Sequence, residues 1–243
     1  MRCIFKDNIP LVQHVLQIII RKPDLRITSI VTQADMKRLA GARSICLDAY
    51  GTDAAGKKYD LEIQRASKGA GVHRARYHVG VIDVENLDAG QQFEELPDVY
   101  VIFITEHDIF GEGKAFYPIE RVNMVTGKLF DDGEHILYVN GDYRGDDEIG
   151  RLMHDFACAN PDEMYNKDIA DVTRYYKEVQ EGVNVMCQAM DNIREQGRQQ
   201  GIEQARLEAV KRIMESLALT PEQAMDVLKI PEEERKTYYS RLK

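Results

Sequence analysis

The stretch LDAYGTDAAGKKYDLEIQ (residues 47–64) decides how the chain is read. Ala54, Ala55 and Gly56 suit a three-residue hairpin loop, with Gly56 at the left-handed position that glycine adopts most readily. Asp53 then pairs with Lys57, Thr52 meets Lys58, Tyr50 meets Asp60, and Asp48 meets Glu62. The side-chain period of two agrees with that register. Cys46, Asp48 and Tyr50 share one face of the first strand, and Asp60, Glu62 and Gln64 share one face of the second. Tyr59, Leu61 and Ile63 take the opposite face. A wet edge strand accounts for this alternation, and so does a metal site; the register rests on the loop length.

The chemistry of the second reading is specific. Carboxylates directly opposite each other repel, at a cost of about a few tenths of a kcal/mol on a solvated face. A hard cation such as Mg²⁺ or Mn²⁺ turns the same juxtaposition into a binding site, because it takes oxygen ligands in octahedral geometry. Asp48, Glu62 and the backbone carbonyl of Ile63 supply three such oxygens, leaving the rest to water and a substrate phosphate. Gln64, on the same face as Glu62, orients a water but has no basic atom to take its proton. A calcium loop of the EF-hand type does not fit, since its twelfth position counted from Asp48 is Tyr59, where a bidentate Glu is required.

The remaining composition narrows the class. The 243 residues are 44% hydrophobic and 30% charged, enough for a substantial core in an ordinary globular protein. No apolar run reaches the roughly 20 residues of a membrane span. VLQIII (residues 15–20) is short and precedes Arg21 and Lys22, the reverse of a signal peptide. Cys3, Cys46, Cys158 and Cys187 are scattered, which is the expectation for reduced thiols in a cytoplasm. The net charge of −9 excludes coating of nucleic acid by bulk charge. Any such contact must be local, through a basic patch or a metal.

Along the chain, residues 7–20 read as a first helix, with Asp7 or Asn8 as cap and Pro10 in its first turn. LRITSIVTQ (25–33) is a β-branched strand, and the hairpin adds two more. HRARYHVGVIDVENL (73–87) is a second helix, basic at its start. PDVYVIFIT (97–105) reads as a central strand buried on both faces. KAFYPIERVN (114–123) and HILYVNGD (135–142) are further strands. This makes a mixed α/β core over residues 1–145. Residues 146–190 read as helices packed on it. Residues 168–196 keep an apolar spacing of three and four, as one continuous helical stretch. Residues 191–243 read as a helical tail, a coiled-coil or oligomerisation arm ending in two short helices. Thr220 with Gln223 makes a capping box there. A helix-turn-helix DNA reader is disfavoured by the acidic run Glu232–Glu234.

The histidines form no HxH or HExxH spacing, although His73 and His78 flank Arg74 and Arg76 and are candidates for phosphate contacts. SKGAG (67–71) lacks the lysine-serine pair of a phosphate loop and reads as a mobile turn whose glycines admit close backbone approach.

ICLDAYGTDAAGKKYDLEIQ (45–64), the basic second helix and FEELPDVYVIFITEHDIF (93–110) together resemble the PD-(D/E)XK nuclease superfamily, most closely its Rpn branch of recombination-promoting nucleases and transposases. The resemblance covers residues 1–181, and the tail EQGRQQGIEQARLEA (195–209) looks like the C-terminal part many members carry. It implies an αβββαβ restriction-endonuclease-like core with a helical C-terminal extension, and Mg²⁺- or Mn²⁺-dependent hydrolysis of DNA phosphodiesters. Asp48 matches the family aspartate, Glu62 the acid of the (D/E)xK element, and Gln64 stands where the superfamily has Lys, a departure the branch shares. By the same resemblance Arg74 faces the site and holds a phosphate, with Arg76 and Tyr77 as further candidates. Members also carry an acidic residue ahead of a phrase like FKxxF. The sequence given opens at MRCIFKDN (1–8), so that acid has no match and one ligand is expected either upstream or missing.

Three functions follow as expectations. The first is a cytoplasmic DNA endonuclease in recombination, DNA mobility or defence, assembling as a homo-oligomer through its C-terminal helices. The second is a degenerate nuclease fold that binds nucleic acid or protein without cutting, which Gln64 and the unmatched acid favour. The third is a structural oligomer whose helical tail is the working part.

Overall fold

The computed structural model describes residues 5, 8–36, 45–64 and 67–242. The opening phrase around Lys6 and Asp7, and Cys3, lie outside them. Helix α1 (Ile9–Ile20) starts where expected, with the Asn8 side chain accepting from Leu11 N–H. Strands β1 (Ile27–Met36), β2 (Ile45–Asp53) and β3 (Lys58–Gln64) follow, then α2 (Val72–Asn86) and β4 (Val99–Thr105). That is the αβββαβ order. Strands β5 (Phe116–Ile119) and β6 (Glu134–Asn140) complete a six-stranded mixed sheet in the order β1-β2-β3-β4-β6-β5.

The hairpin forms in the anticipated register. Tyr50 lies opposite Asp60 and Thr52 opposite Lys58. Gly56 has φ +85°, and its N–H donates to Asp53 O. The Asp53 carboxylate fixes the turn, because Oδ1 accepts from both Ala55 N–H and Lys57 N–H at 2.9 Å while Oδ2 accepts from Tyr59 OH.

The wet-edge reading of β3 fails. β3 is paired on both sides, antiparallel to β2 and parallel to β4. Helices cover both faces of the sheet. On one face, α1, α3 (Glu148–Ala157) and α4 (Lys167–Glu178) pack on Tyr59, Leu61, Ile63, Tyr100, Ile102 and Ile104. On the other, α2 packs through Ala75, Val79 and Ile82 on Val99, Val101 and Phe103. β4 feeds both clusters and is buried throughout, because alternate side chains of a central strand meet helices on opposite faces. β3 contributes apolar residues to only one cluster. Its α2-facing side chains are Asp60, Glu62 and Gln64, a polar inlay within an otherwise apolar layer.

By residue contacts the chain divides into two compact units, Met1–Val179 and Gln180–Lys243. The helical stretch expected to be continuous is broken between them. Val179 N–H closes α4 on Tyr175 O, and Val179 itself is extended before α5 (Gln180–Leu217) begins. In the second unit, α6 (Pro221–Val227) carries the anticipated Thr220–Gln223 capping box. Val210, Ala224, Met225, Ile230 and Tyr238, the last on α7 (Glu232–Arg241), form its core with α5. Among the described residues, no helix is long and apolar enough to cross a membrane.

Candidate metal centre

Asp48 and Glu62 meet where the β2–β3 ladder gives way to side-chain contacts. The paired register runs to Ala49 and Leu61. One step further, Asp48 N–H donates to Glu62 Oε1 at 2.9 Å, and Ile63 N–H donates to Asp48 Oδ2 at 3.1 Å. Each carboxylate therefore binds the backbone of the opposite strand. The N–H and C=O of a strand residue leave on the same lateral side, so the Ile63 carbonyl is directed to the Asp48 side of β3. Gln64 Nε2 donates to Glu62 Oε2 at 2.9 Å. All three polar side chains are buried: Asp48 is 6% exposed, Glu62 0% and Gln64 8%.

Helix α2 closes the site from above. Arg74 donates from its terminal nitrogen to Glu62 Oε2 at 2.9 Å, with 38% of its side chain still exposed. Of the basic-helix candidates, Arg74 is brought to Glu62. Arg76 and Tyr77 lie on the exposed side of α2, as does His73. His78 is not a surface residue. It is fully buried, with Nδ1 2.7 Å from Asp60 Oδ2 and Nε2 accepting from Arg74 Nε–H at 3.1 Å. SKGAG also has a role that its glycines did not reveal. Gly69 lies so close over Gln64 that a Cβ there would stand 2.2 Å from Gln64 Oε1.

Asp60 is not among the site residues expected from the sequence, and His78 is there only as a candidate for phosphate contact. The signals were present but weak. Asp60 sits two positions before Glu62, on the same face of β3, and His78 sits one helical turn after Arg74. The donor atoms of Asp60, Glu62 and His78 all lie within 4.8 Å of one another.

Burial dominates the electrostatics. It pushes Glu62 up to about 7, with the Asp60 and Asp48 carboxylates adding to the shift and the hydrogen bond from Asp48 N–H opposing it. Asp60 is raised well above the ordinary carboxylate value, by burial first and Asp48 second. Burial lowers His78 to about 4 and keeps its ring neutral near neutral pH. Asp60 Oδ1 is buried without a hydrogen-bond partner. Buried carboxyls held above their ordinary range are groups that a bound cation returns to the ionised form. The oxygen donors of Asp48, Glu62 and Ile63 suit a hard divalent ion, so the residues present fit Mg²⁺ or Mn²⁺.

Neither a curated protein nor a solved structure matches the chain. A family model described as "PD-(D/E)XK nuclease family transposase" matches residues 6–141, more than half of the 243. The match spans the αβββαβ core, both carboxylates and the arginine that meets them: the chain belongs to the PD-(D/E)XK nuclease family transposases.

Proposed function

We propose that the protein is a divalent-cation-dependent endodeoxyribonuclease that hydrolyses DNA phosphodiester bonds. One observation carries the reading: Asp48 and Glu62 are held face to face by each other's strand, buried at the end of a ladder, with Arg74 as the adjoining cation. Asp48, Glu62 and the Ile63 carbonyl would hold Mg²⁺ or Mn²⁺. The bound ion would supply an acidified water and charge stabilisation at the phosphate.

The protein's own groups then have separate tasks. Asp48 and Glu62 furnish the negative charge that selects the ion. Gln64 is tethered to Glu62 and faces the same pocket, so its amide orients a water without exchanging a proton. Arg74 has the fork geometry that suits a phosphate and is partly solvent-accessible, so it binds a backbone oxygen when DNA arrives. The chain's acidity makes that local contact necessary, because bulk attraction to DNA is absent. The helical tail, residues 191–243, serves as an oligomerisation arm, and the work is recombination, DNA mobility or defence in a cytoplasm.

A second reading, DNA or protein binding without cutting, is favoured by one feature. Glu62 Oε2 already accepts from both Gln64 and Arg74, which leaves it no ready lone pair for an ion. Plasmid nicking with Mg²⁺ or Mn²⁺ separates the two. The nuclease reading expects cutting by the wild type and loss in Asp48→Ala and Glu62→Ala. Equal residual cutting by all three rejects the site, and retention of DNA without cutting selects the binding module.

A further inference from the structure

Behind Glu62 lies a buried pair to which the reaction above gives no task. Asp60 and His78 are both fully buried and joined at 2.7 Å, and both stand in the layer between β3 and α2. The pair is the far end of a chain of contacts. Arg74 Nε–H donates to His78 Nε2 at 3.1 Å, and an Arg74 terminal nitrogen donates to Glu62 Oε2 at 2.9 Å. A guanidinium only donates. His78 Nε2 is therefore the acceptor, and the neutral ring carries its proton on Nδ1, pointed at Asp60. The ring also lies against Phe103, with centroids 5.7 Å apart. It is held at both nitrogens and on one face.

Burying a carboxylate is expensive, and an apolar residue at position 60 would continue the layer formed by Val101 and Phe103. Asp60 Oδ1 has no partner, so the contact its carboxylate makes is the one from His78 through Oδ2. That contact sets the tautomer of the imidazole, and the tautomer decides whether Nε2 can receive Arg74. Because the guanidinium is planar, fixing Nε fixes the plane of the terminal nitrogens as well.

We propose that Asp60 and His78 are a positioning pair for Arg74: they grip its Nε so that its terminal nitrogens stay at the rim of the Glu62 carboxylate, where a DNA phosphate oxygen would be received. The phosphate rests on the nuclease reading; the grip on Arg74 does not.

The test compares wild type, Arg74→Ala, His78→Leu, His78→Gln and the double variant His78→Leu/Arg74→Ala. Binding is read by anisotropy of a labelled DNA duplex in Ca²⁺, after folding is checked by circular dichroism and thermal melting. Arg74→Ala is expected to weaken binding by about 10- to 100-fold, the range for a charge-assisted contact. His78→Leu should lose as much, and the double variant no more than Arg74→Ala alone. His78→Gln, whose amide accepts from Arg74 and donates to Asp60, should stay within about threefold of wild type, well inside that loss. Folded His78→Leu binding as well as wild type, or losses that add in the double variant, overturn the proposal.

Nitrogen NMR of the His78 ring supplies a reading independent of DNA and of any misfolded variant. The wild type should show the Nδ1–H tautomer, with an Nε2 resonance that moves in Arg74→Ala. An Nε2–H tautomer, or an Nε2 signal indifferent to Arg74, also overturns it. If the wild type binds no DNA at all, the nuclease reading fails, and the ring spectrum alone decides for or against the grip.

Discussion

Gly69 leaves no room for a side chain over Gln64: a Cβ there would meet Gln64 Oε1 at 2.2 Å and Gln64 Cδ at 3.1 Å. The atom in the way is the end of a movable amide rather than backbone. Gly69→Ala should therefore fold and melt near the wild type while turning the Gln64 amide away from Glu62. A displacement of that size at a reacting centre costs about 10- to 100-fold in rate. Single-turnover cleavage alongside a thermal melt checks this; unchanged cleavage would mean that Gln64 has no part in orienting water.

Asp53 is the residue that holds the loop to three residues, through Ala55 N–H, Lys57 N–H and Tyr59 OH. Asp53→Ala leaves those donors without their acceptor next to a buried tyrosine. A loss of about 1–3 kcal/mol in unfolding free energy is expected from denaturant titration. The consequence for function runs through register, since a one-residue slip takes Asp48 off Glu62. Cation affinity by calorimetry should fall in Asp53→Ala although Asp53 is no ligand. Tyr59→Phe, which removes one of the three bonds, should fall between wild type and Asp53→Ala.

Glu62 keeps its proton to about pH 7 in the folded protein and loses it near the ordinary glutamate value when unfolded. Between those two values the folded state binds more protons, so metal-free stability falls as pH rises through that window. The effect is on the order of 1–3 kcal/mol at its largest. Melting of the chelator-treated protein should drop from about pH 5 to about pH 8, the interval across which the carboxyl ionises. Glu62→Gln should flatten that slope. A wild-type slope unchanged by Glu62→Gln would place the titration elsewhere.

Adding Mg²⁺ or Mn²⁺ should reverse that loss, because a cation favours the ionised carboxylates that burial disfavours. At about 100 times the dissociation constant the gain is about 2.7 kcal/mol. It should grow from pH 6 to pH 8, about the range in which Glu62 gives up its proton to make way for the ion. Asp48→Ala and Glu62→Ala should melt at the same temperature with and without the ion. Equal stabilisation of those variants would put the cation somewhere other than between Asp48 and Glu62.

The hairpin was legible because its constraints are local. A loop of Ala54, Ala55 and Gly56 and a side-chain period of two suffice to bring Asp48 opposite Glu62, and the resemblance carried by the same residues pointed to Arg74. The buried run Val99–Thr105 announced a central strand for the same reason: alternate residues cannot both be apolar and face water. The break at Val179 was not legible, since apolar spacing of three and four continues across it and a single extended residue leaves no periodic trace.

Nor did the sequence reveal the layer above the carboxylates. Asp60 and His78 are 18 residues apart and meet only because β3 runs beside β4 and α2 crosses over both. Whether Asp60 faces water or a helix is a property of the sheet, as is the burial that raises Glu62. The sequence by itself determined which oxygens stand opposite each other, through turn length and strand period. Only the tertiary structure decided that they are buried, that Arg74 reaches them while Arg76 does not, and that a neutral histidine holds that arginine in place, because burial and long-range contact arise from packing between elements.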